Sequence, residues 1–145
     1  CRIVASTRLY FPIFPSKIYE ETYKPIADRY DIRVIMLITP ETSEARVREI
    51  DEHTDGFIYM VSSAATTGAQ KDFDSQKQAY FKKIQDMHLR NPRMVGFGIS
   101  NKQTFDAACA NSSGAIIGSR FVTLLNEAEG DAEKAITQLK EGLKK

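Results

Sequence analysis

The chain is poor in the residues that would mark a disulfide scaffold, a zinc module or a nucleic-acid binder. It has two cysteines, Cys1 and Cys109, whose spacing fits no metal site or disulfide framework, so we expect free thiols and no metal. Its 20 basic and 19 acidic residues form no block of one sign. We therefore expect no nucleic-acid partner and no membrane partner.

Long apolar segments are also missing. No apolar run approaches the ~20 residues that span a bilayer, and no charged leader precedes an apolar stretch with a cleavage site. We therefore expect a cytoplasmic protein. The length of 145 residues suits one domain, and 42% hydrophobic residues suffice for a core. Because the sequence begins with Cys1 rather than methionine, we expect a fragment.

Short apolar runs alternate with amphipathic stretches from about residue 20 onward. The runs at 32–38, 57–61, 93–98 and 114–118 predict four strands. Helices are predicted before, between and after these strands. One precedes the run at 32–38 and has Pro25 in its first turn, one is capped by Thr42 or Ser43, and the last has Ala135 and Leu139 on its buried side. This βα order requires right-handed crossovers and predicts a parallel sheet.

Two of the predicted strands end in glycine, at Gly96-Phe97-Gly98 and at Gly118-Ser119. Glycine lets a ligand approach backbone N–H groups, and a following helix adds the positive end of its dipole, which is typical of phosphate binding. An open doubly wound sheet and a barrel both fit the element order. Two successive phosphate-binding loops near the carboxyl terminus favour the barrel, which needs about 250 residues when complete.

The predicted fold class is therefore α/β, a partial (β/α)8 TIM barrel. The chain would hold the C-terminal half, about strands 4/5 to 8 with their helices, as a single partial domain over residues 1–145.

Three motifs, in this order and spacing, resemble the tryptophan synthase alpha subunit: GFIYMVSSAATTGAQ at 56–70, GFGIS at 96–100 and GAIIGSRFV at 114–122. The resemblance covers residues 19–145. It implies a lyase of tryptophan biosynthesis that cleaves indole-3-glycerol phosphate to indole and glyceraldehyde 3-phosphate by a retro-aldol reaction. It also implies a beta subunit partner in an alpha2beta2 assembly; pyridoxal phosphate belongs to that partner, so no cofactor is expected here.

The resemblance also implies substrate-binding roles for seven residues. Tyr59 would line the substrate pocket, Thr67 and Gly68 would belong to a loop that folds over the substrate, Phe97 and Gly98 would contact it, and Gly118 and Ser119 would form a phosphate-binding turn. Simpler interpretations exist for each. Tyr59 could be a core aromatic, the loop residues an ordinary polar loop, the glycines turn or packing residues, and Ser119 a helix N-cap.

Catalytic residues are not assigned in this chain. In the family that it resembles, a glutamate and an aspartate from the first half of the barrel do the acid–base work, and no part of this sequence aligns with that half. The acidic residues between 41 and 55 are expected on the solvent side of a helix, and His53 and His88 on solvated surface. We expect the isolated chain to be inactive. Two rival interpretations are a non-catalytic phosphate-binding half-barrel module and another phosphate-binding TIM-barrel enzyme.

Residues 1–18 do not resemble the family. A shifted reading frame through codons for Val4–Thr7 and Pro12–Ser16 permits Cys-Gly-Ile-Asp and Pro-Asp-Leu-Pro-Phe, which the family pattern expects here, so we hypothesise a frameshift. Pro12 and Pro15 limit the present segment to an edge strand or to no strand. A half-barrel also leaves its inner face and two sheet edges uncovered, which predicts self-association or poor solubility.

Overall fold

The sheet contains five parallel strands. A computed structural model describes residues 8–11, 16–61, 73–96, 99 and 101–144, and for 8–11, 16 and 73–76 it describes the backbone alone. The strands are β1 (Arg8–Phe11), β2 (Arg33–Ile38), β3 (Ile58–Val61), β4 (Arg93–Gly96) and β5 (Gly114–Ile116). Their spatial order is their chain order, and each neighbouring pair is parallel. The four strands predicted between residues 32 and 118 are confirmed.

The first strand lies where proline permits it. β1 ends at Phe11, directly before Pro12, and in the described part of the chain it pairs with β2 alone. Proline has no N–H to donate, so it cannot continue the strand as an interior ladder. The prediction that this segment can be a strand only at an edge is confirmed.

Helices follow the strands along the chain. They are α1 (Ser16–Ile18), a π-helical turn (Tyr19–Tyr23), α2 (Lys24–Arg29), α3 (Glu44–His53), α4 (Phe73–Asp86), α5 (Lys102–Ala110), α6 (Ser119–Glu127) and α7 (Ala132–Gly142). Pro25 lies in the first turn of α2, as predicted. Ser43 is the N-cap of α3 and accepts from the Arg46 backbone N–H.

One face of the sheet packs against these helices. Ile38, Met60 and Val95 are almost fully buried in a cluster with apolar residues of α3 and α4. The helix residues are those that the sequence places on one face: Val47, Ile50, Tyr80, Phe81 and Ile84, with Met87 just beyond α4. Burying each such side chain stabilises the fold by about 1.5–3 kcal/mol, which holds these helices on this face.

Asp51 is an exception to the expectation that the acidic residues between 41 and 55 face solvent. Its side chain is buried, with Oδ2 accepting from the Arg90 backbone N–H at 2.7 Å and Oδ1 from the Asn91 backbone N–H at 2.9 Å. The Asn91 side chain also donates to Oδ1 at 2.9 Å. Burial alone would raise the pKa of Asp51, but the hydrogen bonds from Asn91 and Arg90 hold its pKa below the usual value.

These contacts place Asp51 away from the predicted phosphate site. Arg90 and Asn91 precede β4, so the carboxylate ties the end of α3 to the amino edge of the sheet. The candidate binding residues follow the opposite, carboxyl ends of the strands. Asp51 is therefore a structural residue, and the predicted solvent exposure was wrong for it.

The two histidines differ in their surroundings. His88 is exposed, as predicted. The prediction for His53 is wrong in part, because its side chain is only 24% exposed and its Nε2 lies 3.2 Å from Oε1 of Glu20. The Tyr19 ring meets the imidazole edge-on, with 6.4 Å between centroids. His53 therefore helps to hold the π-helical turn against the end of α3.

Candidate functional site

The candidate residues belong to the carboxyl edge of the sheet. Gly96 ends β4 and pairs with Val61, the last residue of β3, and with Ile116, the last residue of β5. The loops that follow these three strands therefore leave the sheet at the same edge, as a shared phosphate site requires. Four of the seven predicted residues, Thr67, Gly68, Phe97 and Gly98, lie outside the described residues. Tyr59, Gly118 and Ser119 are described.

Tyr59 reaches this edge by lying over a glycine. It pairs in register with Met94, two residues before Gly96, yet a Cβ built on Gly96 would come closer than 3.0 Å to the hydroxyl oxygen and two ring carbons of Tyr59. The ring therefore leans along the strand and occupies the space that any side chain at position 96 would need. Its hydroxyl therefore lies at the carboxyl end of β4, next to Gly96.

Gly96 is a site residue that sequence reasoning missed. The signal was present, because a glycine inside a strand often marks the close approach of another group. The Gly-x-Gly pattern was interpreted instead as space for a ligand. In the structure, the group that approaches Gly96 is the phenol of Tyr59.

The amino end of α6 is open to solvent. Gly118 is the N-cap, and its carbonyl accepts from the Val122 backbone N–H at 3.1 Å, while no side chain of the described residues caps the first turn. Gly118 is exposed, and a Cβ there would meet no described atom within 4 Å. Since the first N–H groups of a helix have no intrahelical acceptor, this end presents backbone donors and a positive dipole to an anion.

Ser119 is not the N-cap that its simpler interpretation suggested. It is the first residue of α6, and the residue before it fills the cap position. Its side chain is exposed beside the open first turn, and its carbonyl accepts from the Thr123 hydroxyl at 3.1 Å. The hydroxyl is therefore placed beside the first-turn amides, where it could add a donor to a bound phosphate.

The amino end of α5 is closed by contrast. Asn101 accepts from the Thr104 backbone N–H at 2.9 Å, and the Thr104 hydroxyl accepts from the Asn101 backbone N–H at 3.2 Å. This reciprocal capping box satisfies donors that an anion would otherwise use. In the described part of the chain, the amino end of α6 therefore offers free backbone N–H groups beside its glycine turn, whereas at the amino end of α5 the capping box already satisfies such donors.

Arg120, the second residue of α6, extends along the helix away from the open amino end. Its guanidinium lies 3.9 Å from Glu127, the last residue of α6, and both side chains are substantially exposed, so the pair is weak. Within the described residues no group of three His, Cys, Asp or Glu side chains could hold a metal ion. No described helix has the length and apolar character to cross a membrane.

One known protein family matches nearly the whole chain. The family model for the tryptophan synthase alpha chain matches residues 12–145, nearly the whole sequence. This chain belongs to the tryptophan synthase alpha chain family. The match begins at residue 12, so residues 12–18 also belong to the family-like part of the chain, which the sequence analysis predicts to start at 19.

Close relatives carry the same name. The tryptophan synthase alpha chain of Bacteroides fragilis is 77% identical over 129 residues, which cover 89% of this chain and 49% of the relative. That of Phocaeicola vulgatus is 66% identical over 144 residues, covering 99% of this chain and 56% of the relative. The chain therefore spans about half the length of the curated relatives that it matches.

Solved structures confirm the fold. The alpha subunit of tryptophan synthase from Campylobacter jejuni superposes with a TM-score of 0.71 at 26% identity, over 94% of this chain and 53% of that one. A structure from Aquifex aeolicus gives 0.72 at 25% identity, over 94% and 52%. The tryptophan synthase alpha fold is a (β/α)8 barrel, so the predicted half of a TIM barrel is confirmed.

Proposed function

We propose that this chain supplies the phosphate-binding half of an indole-3-glycerol phosphate lyase of tryptophan biosynthesis, acting in the cytoplasm. The observation that carries the proposal is the open amino end of α6, with space around Gly118, at the same sheet edge as the Tyr59 hydroxyl. A substrate with its phosphate at Gly118 and Ser119 would extend along this edge toward Tyr59. We propose that Phe97, Gly98, Thr67 and Gly68, which lie outside the described residues, also contact the substrate, as the family resemblance implies.

The reaction demands more than these residues supply. Retro-aldol cleavage needs a proton delivered to the indole carbon, a proton removed from the glycerol hydroxyl, and the indole N–H held as charge develops. The binding residues assigned here orient the substrate and neutralise its phosphate. We propose that the two catalytic carboxylates come from the missing first half of the barrel, and that the 145-residue chain alone turns over no substrate.

Partnership follows from the same family assignment. We propose that the completed alpha barrel hands indole to a beta subunit in an alpha2beta2 assembly. The pyridoxal phosphate of the second reaction would belong to that beta subunit, and this chain would carry no cofactor of its own.

The test is complementation with the first half of the barrel. Co-expressing this chain with the amino-terminal half of the Phocaeicola vulgatus relative should release indole from indole-3-glycerol phosphate, whereas either half alone should not. A complemented barrel that binds glycerol phosphate and releases no indole would favour a non-catalytic phosphate-binding module instead.

A matched pair of variants tests the phosphate site within that complex. Ser119→Asp should raise KM for the substrate at least about fivefold, because like charges 4 Å apart cost about 1–4 kcal/mol. A negative charge at a helix amino end stabilises the helix, so unfolding would not explain the loss. Ser43→Asp makes the same replacement at the amino end of α3, after β2, and should leave KM unchanged. Equal effects of the two variants would contradict the assigned site.

A further inference from the structure

The turn between α3 and β3 contains the one Asp-Gly pair of the sequence, Asp55-Gly56, and the sequence has no Asn-Gly pair. At an Asp-Gly pair the glycine backbone nitrogen can attack the side-chain carboxyl carbon of the aspartate, because glycine has no Cβ to hinder the approach. The five-membered ring that results is a succinimide. Whether a folded protein undergoes this reaction depends on how firmly both groups are held.

Neither of the two reacting groups is held firmly by a described residue. The Asp55 side chain is 69% exposed, and its one ion pair in the described part of the chain is a 3.9 Å contact with the Arg33 guanidinium, which is itself 59% exposed. Such an exposed pair restrains a carboxylate weakly. The Gly56 backbone N–H donates to no described acceptor, and the Gly56 φ of 127° is one that glycine adopts readily and larger residues avoid.

Asp51, within α3 of the same stretch of chain, is in the opposite situation. Its buried carboxylate accepts from the Arg90 and Asn91 backbone N–H groups and from the Asn91 side chain, and the residue that follows it is Glu52. Ring closure at Asp51 would require the release of hydrogen bonds to a charged acceptor and an approach past a Cβ. The two aspartates therefore provide an internal comparison.

We propose that Asp55-Gly56 is a site of spontaneous isoaspartate formation in the folded chain. A bond forms between the Gly56 nitrogen and Cγ of Asp55, the bond from Cγ to its hydroxyl oxygen breaks, and one water leaves with the proton of the nitrogen. A second water then opens the ring. Attack at Cγ restores aspartate, whereas attack at the backbone carbonyl carbon breaks its bond to the Gly56 nitrogen and leaves the main chain running through Cβ and Cγ. This reaction does not depend on the proposed lyase function, since it rests on the turn alone.

The position of the turn gives the product a structural effect. The Asp55 backbone N–H donates to the Val34 carbonyl of β2 at 3.2 Å, and the Ile58 N–H donates to the Pro92 carbonyl, directly before β4, at 2.9 Å. Isoaspartate inserts a methylene group into the main chain between these two hydrogen bonds. One of them must then break, or β3 must shift against its neighbours. Since Phe57 and Ile58 are buried, either change should lower the stability of the chain.

The test follows both aspartates during prolonged incubation of the chain at neutral pH. Trypsin releases residues 49–71 as one peptide that contains both, and electron-transfer fragmentation locates isoaspartate because it breaks the Cα–Cβ bond that has become part of the main chain. Isoaspartate should form at residue 55 at least about tenfold faster than at residue 51, where a hydrogen bond to a charged acceptor must be released. The rate at residue 55 should also stay within about tenfold of the rate in a synthetic peptide of residues 52–58. A slower rate in the folded chain would show that the fold protects this turn and would overturn the proposal.

Asp55→Glu is the matched control, because it keeps a negative charge beside Arg33 but cannot close the five-membered ring. This variant should show no modification at residue 55 during the same incubation. The urea midpoint of the unmodified chain should fall as isoaspartate accumulates, whereas the midpoint of Asp55→Glu should stay constant. Equal losses of stability in the two chains would overturn the predicted effect on β3.

Discussion

Replacing Gly96 with alanine should destabilise the fold through Tyr59 alone. The new Cβ would overlap the Tyr59 phenol, so the ring must leave its position or the strands must separate. Overpacking of this kind costs about 1–3 kcal/mol. Alanine in place of a strand glycine stabilises the fold by about 0.5–1 kcal/mol, because it lowers the entropy of the unfolded chain. The sign of the net effect therefore depends on whether the ring is present.

A double-mutant cycle separates the two contributions. In a Tyr59→Ala background, Gly96→Ala should no longer destabilise and should gain the ~0.5–1 kcal/mol of the glycine replacement. The coupling between the two sites should equal the overpacking cost, about 1–3 kcal/mol. Urea denaturation of the four chains at one fixed concentration measures it.

The control is a glycine-to-alanine replacement at a site without a neighbouring ring. Gly142→Ala makes the same replacement where a Cβ would meet nothing within 4 Å, and it should stabilise by up to about 1 kcal/mol in either background. If Gly96→Ala has the same effect with and without the Tyr59 ring, the ring does not fill the space above Gly96, and the described geometry of the site is wrong.

Three further substitutions test the remaining features. Asp51→Asn should cost about 1.5–3 kcal/mol at neutral pH, because it removes a charged acceptor. The pKa of Asp51 is lowered in the fold, so its carboxylate stabilises the fold above the ordinary pKa of about 3.9, and this stabilisation is lost as pH falls through the folded value. Urea titrations from pH 7 to 3 should therefore show a shrinking difference in stability between the unmodified chain and Asp51→Asn. A constant difference would contradict this role. Tyr80→Phe should be neutral or stabilise by up to about 1 kcal/mol in the same assay, because the buried hydroxyl has no partner among the described residues; a clear loss of stability would reveal one. Asn101→Ala should cost about 1 kcal/mol by opening the capping box of α5, and an unchanged urea midpoint would contradict that role.

The periodicity of apolar residues was sufficient to predict these helices and strands, because burial acts on runs of residues. The apolar run before Thr39 became β2, and the stripe that contains Val47 and Ile50 became the buried side of α3. The order of strands followed from the βα rule. The pairing of Gly96 with Ile116 then brought the predicted loops to one edge.

Periodicity could not predict contacts between residues that are far apart in the sequence. Asp51 meets residues about 40 positions away, and nothing in its own helix distinguishes it from exposed neighbours such as Glu52. The relation of Gly96 to Tyr59 also depends on strand register. The alternative interpretation of Ser119 as an N-cap was wrong by one position, since a glycine can fill that place and a cap is decided by local backbone geometry.

The buried Asp51 carboxylate lies at the opposite end of the strands from the proposed anion-binding turn at Gly118. Stability and ligand recognition thus draw on separate groups, each held by different loops. Changes that tune affinity around Gly118 can accumulate without loosening the connection between α3 and β4, and a more acid-resistant variant can be sought at the amino edge without altering what the other edge binds.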